Sequence, residues 1–411
     1  MVRYAYALPM ICFFVPSTPM NAQGWTNAGP LPQPVILATG TYTPTDATPF
    51  WRGWTKLVYV SNHKKILWYA ANPNCCGGTF SNAMLLYDAK TNKWTLAWSH
   101  NTTISAGPAG GALEDALDAP SDKHPYHVMA WDSKRNVVWT GFGSAVVGGR
   151  GKKVCGDCAA SDFYKFDLTT AKGAWTQVCG NVTTPCQPSM MQEAAAVYDP
   201  VRDLIVMYGG LDGGASSNNT WEYSPATNTW KKVCGGNTGC GPPALFGEGL
   251  VYDPTRDEIL LFGGMGAGGT SNTETWLYSP RTGKWKKANP DTHPPTQKFP
   301  VMDYVSKLRQ VVLIGAEAGA AHTWTFDGSQ WKDLGIRGGP ALASPAKQNQ
   351  GAYDPWTDNF VLLLPGNDGT SPSVWLLALP SSEPFSKPMP GSTGSTEHLE
   401  QPTRFGIAPI S

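Results

Sequence analysis

The chain is poor in charge. Only 15% of its 411 residues are Asp, Glu, Lys or Arg, and the two signs balance at 31 each. That balance leaves no electrostatic footprint for nucleic acid or for an anionic membrane surface. No segment sustains a 3.6-residue apolar period, which excludes a helical bundle. The longest apolar run, at the N-terminus, is too short to cross a bilayer, so no membrane span is expected. Also missing are a P-loop, a GxGxxG after a strand, a GxSxG elbow and an HExxH pair. The common signatures of phosphate binding, serine hydrolysis and zinc proteolysis are therefore absent.

What the chain does have is turn formers and aromatics: 45 Gly, 35 Pro and 17 Trp. Many short segments between Gly and Pro turns describe an all-β protein. The first residues read as an export signal. Arg3 gives a positive start, an apolar stretch runs from Tyr4 to Val15, and Ala22-Gln23 offers a cleavage point. A signal peptide over 1–22 and a secreted or periplasmic protein are expected. Cysteine usage agrees. Beyond Cys12 there remain Cys75, Cys76, Cys155, Cys158, Cys179, Cys186, Cys234 and Cys240, four pairs of near neighbours. Short disulfide loops are the favoured reading. For Cys155-Gly-Asp-Cys158, half of a zinc site or a redox pair is the alternative. Asn101, Asn181 and Asn218 open glycosylation sequons, which matter only in a host that uses them.

Self-similarity decides the fold class. Ala196-Val-Tyr198-Asp-Pro-Val-Arg-Asp-Leu-Ile-Val-Met-Tyr-Gly209-Gly210 is followed by Thr220-Trp221-Glu-Tyr223-Ser-Pro and by Thr229-Trp230-Lys-Lys. Leu250-Val-Tyr252-Asp-Pro-Thr-Arg-Asp-Glu-Ile-Leu-Leu-Phe-Gly263-Gly264 has the same sequel in Thr275-Trp276-Leu-Tyr278-Ser-Pro and Lys284-Trp285-Lys-Lys. Weaker copies have corners at Tyr59, Trp131, Tyr304 and Tyr353, giving six in all. Each reads as four strands, a to d. A Tyr-Asp-Pro corner joins a to b, an apolar run ending in Gly-Gly forms b, and spaced aromatics mark c and d.

The paired Gly and the spaced aromatics resemble the kelch repeat. That resemblance implies a six-bladed β-propeller of four-stranded antiparallel blades over 24–380, a galactose-oxidase-like scaffold. The sixth copy lacks a strand d, and Gly24-Trp25-Thr-Asn looks like one, so the N-terminal strand is expected to close the ring. Residues 381–411, rich in Ser, Pro and Gly, read as a flexible tail.

On such a scaffold the long b–c and d–a loops gather at one channel mouth, and all four Cys pairs fall in them. Counting four or five residues back from each corner gives Thr55, His127, Glu193, Glu248, Phe299 and Asn349. Gln192, Gln350, His124 and Asp118 are neighbours. His127, Glu193, Glu248, Asn349, Gln192 and His124 are the ligand-binding candidates. Two carboxylates with a His suit a divalent metal, sugar hydroxyls or acid–base work. Trp51, Arg52, Trp54, Arg150 and Arg337 in the same loops suit carbohydrate or peptide. Copper-radical oxidases of similar scaffold need a Cys on an inner strand next to Tyr, and no Cys precedes a corner here, so that cofactor is not expected. Two functions follow. One is a monomeric interaction module for an extracellular glycan or protein. The other is a carbohydrate-active enzyme sited at the channel mouth.

Overall fold

Each repeat begins at the axis and is turned outward by its corner. In the third repeat Asp199 Oδ1 accepts the N–H groups of Val201 (2.9 Å) and Arg202 (3.2 Å), and Asp203 takes φ +58° to finish the turn. The same left-handed residue recurs as Lys64, Asn136, Asp257, Arg309 and Asp358. Asn and Asp tolerate that conformation better than most L-residues, which is one reason they recur there. The apolar run that follows is buried on both faces, as in Glu258–Met265, and strand d is exposed, as in Lys284–Ala288.

The computed structural model describes residues 24–31, 54–69, 83–98, 120, 123–147, 154–159, 161–170, 173–180, 186–188, 191–236, 239–317, 319–342, 349–364 and 373–380. The expected signal peptide over 1–22, the expected tail over 381–411, Cys75, Cys76, Asn101, Asn181, Trp51, Arg52, Asp118 and Arg150 lie outside them. The fold is an all-β propeller, and the one helical turn among the described residues is the 3-10 segment Ala267–Gly269.

The six sequence copies supply strands a to d as follows. The first gives Leu57–Val60, Lys65–Tyr69, Met84–Asp88 and Lys93–Trp98. The second gives His127–Asp132, Val137–Gly141, Phe163–Asp167 and Ala174–Cys179. The third gives Ala195–Asp199, Leu204–Tyr208, Thr220–Ser224 and Thr229–Cys234. The fourth gives Phe246–Asp253, Glu258–Met265, Thr275–Ser279 and Lys284–Ala288. The fifth gives Val301–Val305, Gln310–Glu317, Ala320–Phe326 and Trp331–Asp333. The sixth gives Gln350–Asp354, Asn359–Leu364 and Ser373–Ala378. Its fourth strand is Gly24–Pro30, paired antiparallel with Ser373–Ala378 so that Trp25 faces Leu377.

The expectation of six separate blades needs correction. Among the described residues there are five blade sheets, four of them four-stranded and one eight-stranded. In the large sheet, strand a of the second copy pairs in parallel with strand a of the third, Ala195 facing His127 and Ala196 facing Val128. The physical reason is side-chain size. Ala194, Ala195 and Ala196 are fully buried and small, so the two backbones approach to hydrogen-bonding distance. A second correction concerns Cys155 and Cys158, expected in a loop. They lie on a strand, Val154–Ala159, paired with Ser144–Val147.

Between sheets the core is aromatic. Trp230 packs edge-on against Phe142 and Phe163 of the preceding copy, with centroids 5.6 and 5.1 Å apart. The strand-d Trp also carries a hydrogen bond backwards: Trp285 Nε1 donates to Thr220 Oγ1 and Trp331 Nε1 to Thr275 Oγ1, each at 2.9 Å.

At the corners the copies are chained by charge. Arg135 holds its own Asp132 (2.7 Å) and reaches Asp203 of the next copy (2.5 and 2.7 Å). Arg202 does the same with Asp199 (2.7 Å) and Asp257. Arg256 holds Asp253 (2.6 Å) and donates to the Arg309 carbonyl (3.3 Å). His63 reaches Asn136 (3.0 Å), Lys307 reaches Asp358 (2.9 Å), and Lys64 sits 3.5 Å over the Trp356 ring, joining the last copy to the first. Arg202→Ala should cost about 2 kcal/mol, because it strips a half-buried Asp257 and a fully buried Asp199 of a charged donor. Urea unfolding measures this. Lys64→Ala, an exposed contact, should cost less than about 1 kcal/mol.

Candidate functional site

The residue five places before each corner sets the shape of the channel mouth. Tyr126, Glu193, Gly247 and Phe299 hold this position, and all four have φ between +52° and +67°. Their amides link copy to copy. Tyr126 N–H donates to the Trp54 carbonyl (2.9 Å), Gly247 to that of Glu193 (2.8 Å) and Phe299 to that of Gly247 (2.6 Å). Thr55, His127, Ala194, Glu248, Pro300 and Asn349 come one residue later.

The mouth on the long-loop side is filled by rings. Tyr126 stacks on Phe299 with centroids 5.7 Å apart at 10°, and Trp54 meets both edge-on at 5.8 and 5.9 Å. Tyr126 and Phe299 are buried. His124, also buried, lies beside Trp54 and Tyr126. Gln192 Nε2 donates to Ser144 Oγ (2.8 Å), which shares a hydrogen bond with the Tyr126 hydroxyl (3.0 Å). Over the plug, Glu193 forms an ion pair with Lys298 (2.6 Å), whose ammonium lies 4.9 Å from the Phe299 centroid.

His127 and Glu248 lie deeper. His127 is buried, shares a hydrogen bond with the Glu248 carbonyl (3.1 Å) and touches Phe299 edge-on. Burial, helped by the Lys56 ammonium, pushes its pKa down to about 3, so the ring is neutral. The Glu248 carboxyl is fully buried and neither oxygen has a well-formed hydrogen bond. Burial pushes its pKa up to about 8, the nearby Glu193 charge adds to the rise, and the amides of Ala195 and of Glu248 itself oppose it. The Gly-Gly motifs make room for this acid. A Cβ on Gly209 would lie 2.5 Å from Glu248 Oε1, and one on Gly264 would lie 2.9 Å from the Glu248 Cβ. Asn349 lines a space of about 20 Å³ with Thr55, Lys56, His127 and Gln350, room for one water.

The six candidates are thus gathered around one channel end, but not into one constellation. Glu193 faces Lys298, Gln192 faces Ser144, and His127 meets Glu248 through a backbone carbonyl. Among the described residues no three His, Cys, Asp or Glu side chains are placed to hold a metal ion. Arg337 is taken up by Asp333 at 3.2 Å. Disulfides Cys179–Cys186 and Cys234–Cys240 join the ends of the outer strands to the loops that lead back to the axis.

The roomier space is at the other end. A funnel of about 400 Å³ opens between the corners. Its rim takes one aromatic from each copy: Tyr59, Trp131, Tyr198, Tyr252, Tyr304 and Tyr353. Tyr198 and Tyr252 donate their hydroxyls to Asp203 and Asp257, each at 3.0 Å, so the rim is tied to the inter-copy ion pairs. Sequence reasoning used these Tyr-Asp pairs as turn chemistry. Their one-per-copy recurrence was the signal for a ring around the axis.

A family model described as the KLHDC2/KLHL20/DRC7 Kelch-repeats domain matches residues 119–345, just over half of the chain. No curated protein matches the chain. The match begins ahead of the second copy and ends ahead of the sixth.

Glu248 gives this site a pH signature. An acid neutral in the fold up to about 8 but ionised from about 4.5 in the open chain favours folding at low pH, and that advantage drains away as pH climbs between the two values. The thermal midpoint should fall from pH 5 to pH 8, and Glu248→Gln should flatten that limb. Equal slopes in wild type and variant would mean the carboxyl is already charged in the fold. Gly209→Ala should cost more than about 1 kcal/mol at any pH, because its Cβ meets the carboxyl at a positive φ.

Proposed function

The chain belongs to the kelch-repeat family, and on that premise we propose that it is an interaction module whose long-loop face recognises a protein. The observation that carries this reading is the aromatic plug. Trp54, Tyr126 and Phe299 occupy the mouth where a substrate would have to enter, leaving about 20 Å³ beneath them. A mouth filled with rings offers a surface in place of a pocket, and Trp54, the partly exposed ring of the three, is of the residue type that most often anchors such contacts. The two disulfides fix the loops around it, which lowers the entropy lost on binding.

Several finer features belong to the same reading. The ring is counted as six repeat units, two of which share one sheet, over 24–380. The leader over 1–22 sends the protein out of the cytoplasm, the oxidising setting that the disulfides suit. The working unit is a monomer, and its partner is an extracellular protein or the glycan on one. An enzyme acting on carbohydrate is the alternative. It would need a cavity reaching the Glu248 carboxyl, which is fully buried.

The test uses the purified mature chain as bait for extracellular proteins of its source, with a glycan array in parallel. Wild type should retain a partner, Trp54→Ala or Lys298→Glu should lose it at least tenfold, and Trp356→Ala on the corner face should not. A partner lost only with Trp356→Ala would move the interface to the other face and overturn the assignment. Retention of a free glycan alone would replace the protein partner by a sugar.

A further inference from the structure

Lys56 is a charged side chain of the channel that the interaction reading does not use. It stands one residue before the inner strand Leu57–Val60, between the aromatic plug and the funnel, and it lines the spaces on both sides. On the funnel side Met129, Val197, Leu250 and Met302 wall the cavity it shares, while Thr55, His127, Asn349 and Gln350 line the small space behind it. Its ammonium makes a single hydrogen bond, to the Ala196 carbonyl at 3.3 Å. Asp303 shares the cavity, but its two oxygens are engaged by the amides of Tyr304 (2.8 Å) and Tyr353 (2.9 Å). The other titratable group beside it, His127, is neutral.

Two kinds of ligand suit an amine at the foot of an apolar funnel: an anion paired with the ammonium, or a carbonyl compound that reacts with the free amine. Burial decides between them. It disfavours the ammonium, and the Asp303 charge offsets this only in part, leaving Lys56 with a pKa of about 8. A weakened ammonium is a poor anion receptor, and an anion would also have to enter beside Asp303. Lys56 is half-buried at the foot of the funnel, and a partly desolvated amine with hydrogen-bonding capacity to spare is, in contrast, a good nucleophile.

We propose that Lys56 is a reactive amine at the foot of the corner-side funnel, which captures a small, uncharged aldehyde as a Schiff base. The Nζ lone pair attacks the aldehyde carbon. The carbinolamine then loses its oxygen as water, taking both amine protons, and a carbon–nitrogen double bond remains. No oxidant or reductant is needed. The apolar body of the aldehyde lies against Met129, Leu250 and Met302, and the rim aromatics cover it. A cavity of about 400 Å³ is in the lower range for small-molecule sites.

The test is chemical and does not depend on the protein-binding face. The folded full chain is incubated with benzaldehyde near pH 8, reduced with borohydride, and mapped by peptide mass. Lys56 should carry the benzyl adduct at least tenfold more than the exposed Lys232 and Lys287, and the preference should vanish when the chain is labelled in urea. Lys56→Met, which keeps an apolar channel, should fold and lose the dominant adduct. A second variant, Leu250→Phe, should narrow the funnel and lower labelling at Lys56 while leaving Lys232 unchanged. Labelling of Lys56 equal to or below that of the exposed lysines in the folded wild type overturns the proposal. So does dominant labelling that persists in urea, since it would then owe nothing to the funnel.

Discussion

The structure depends on one constraint: each copy must be bound to the next all the way around the axis. A four-stranded sheet of this size cannot bury both faces alone, so an unjoined copy would expose the aromatics that form the core. Two sets of bonds meet the constraint at different radii. At the outer edge the strand-d Trp donates backwards to a buried Thr of the preceding copy. Near the axis Arg135 and Arg202 each clamp two carboxylates, one from their own corner and one from the next. These pairs are partly sheltered and bidentate, so they resist screening better than isolated surface pairs. The ring closes by different chemistry: a cation–π contact between Lys64 and Trp356, and the strand Gly24–Pro30 completing the last sheet. Tying the first strand to the last makes opening the ring cost an entire strand pairing.

Much of this was legible in the sequence because it recurs. Period, corner chemistry and strand order follow from comparing Tyr198–Trp230 with Tyr252–Trp285, and the missing last strand pointed to Trp25. What the sequence did not reveal lies where neighbouring copies meet. The merging of two copies into one eight-stranded sheet depends on Ala194, Ala195 and Ala196 being small opposite His127 and Val128. Small residues on an inner strand read as ordinary packing until the opposing backbone is known. The pairing of Cys179 with Cys186 and of Cys234 with Cys240 was read correctly from spacing alone.

The site was half legible, for a geometric reason. Counting four or five residues back from each corner mixes two registers. Glu193 and Phe299 stand at the left-handed position, while Thr55, His127, Glu248 and Asn349 stand one place later. A positive φ turns the chain there, so adjacent residues send their side chains to different depths. That is why Glu193 lies over the plug with Lys298 while Glu248 is sealed below it. Lys56 was missed for the opposite reason. It has no charged counterpart in any other copy, and only its place just ahead of an innermost strand puts it in the channel.

The two ends of the axis are therefore built differently. On the loop side Tyr126, Phe299 and Trp54 fill the mouth and two disulfides hold the surrounding loops. Rigidity there favours recognition by surface. On the corner side two rim tyrosines, Tyr198 and Tyr252, are held by the same aspartates that the arginines clamp. The positions of Tyr198 and Tyr252 on the rim are thereby coupled to the charge of the clamp. The Arg202 guanidinium holds Asp257 down to about 2, well below the ordinary carboxylate range, so its contribution is complete above that range and fades as pH falls toward 2. The buried Glu248 acts in the opposite sense, losing its contribution as pH rises toward 8. Acid thus loosens the funnel end and base the plugged end, and the ring is held most firmly between the two.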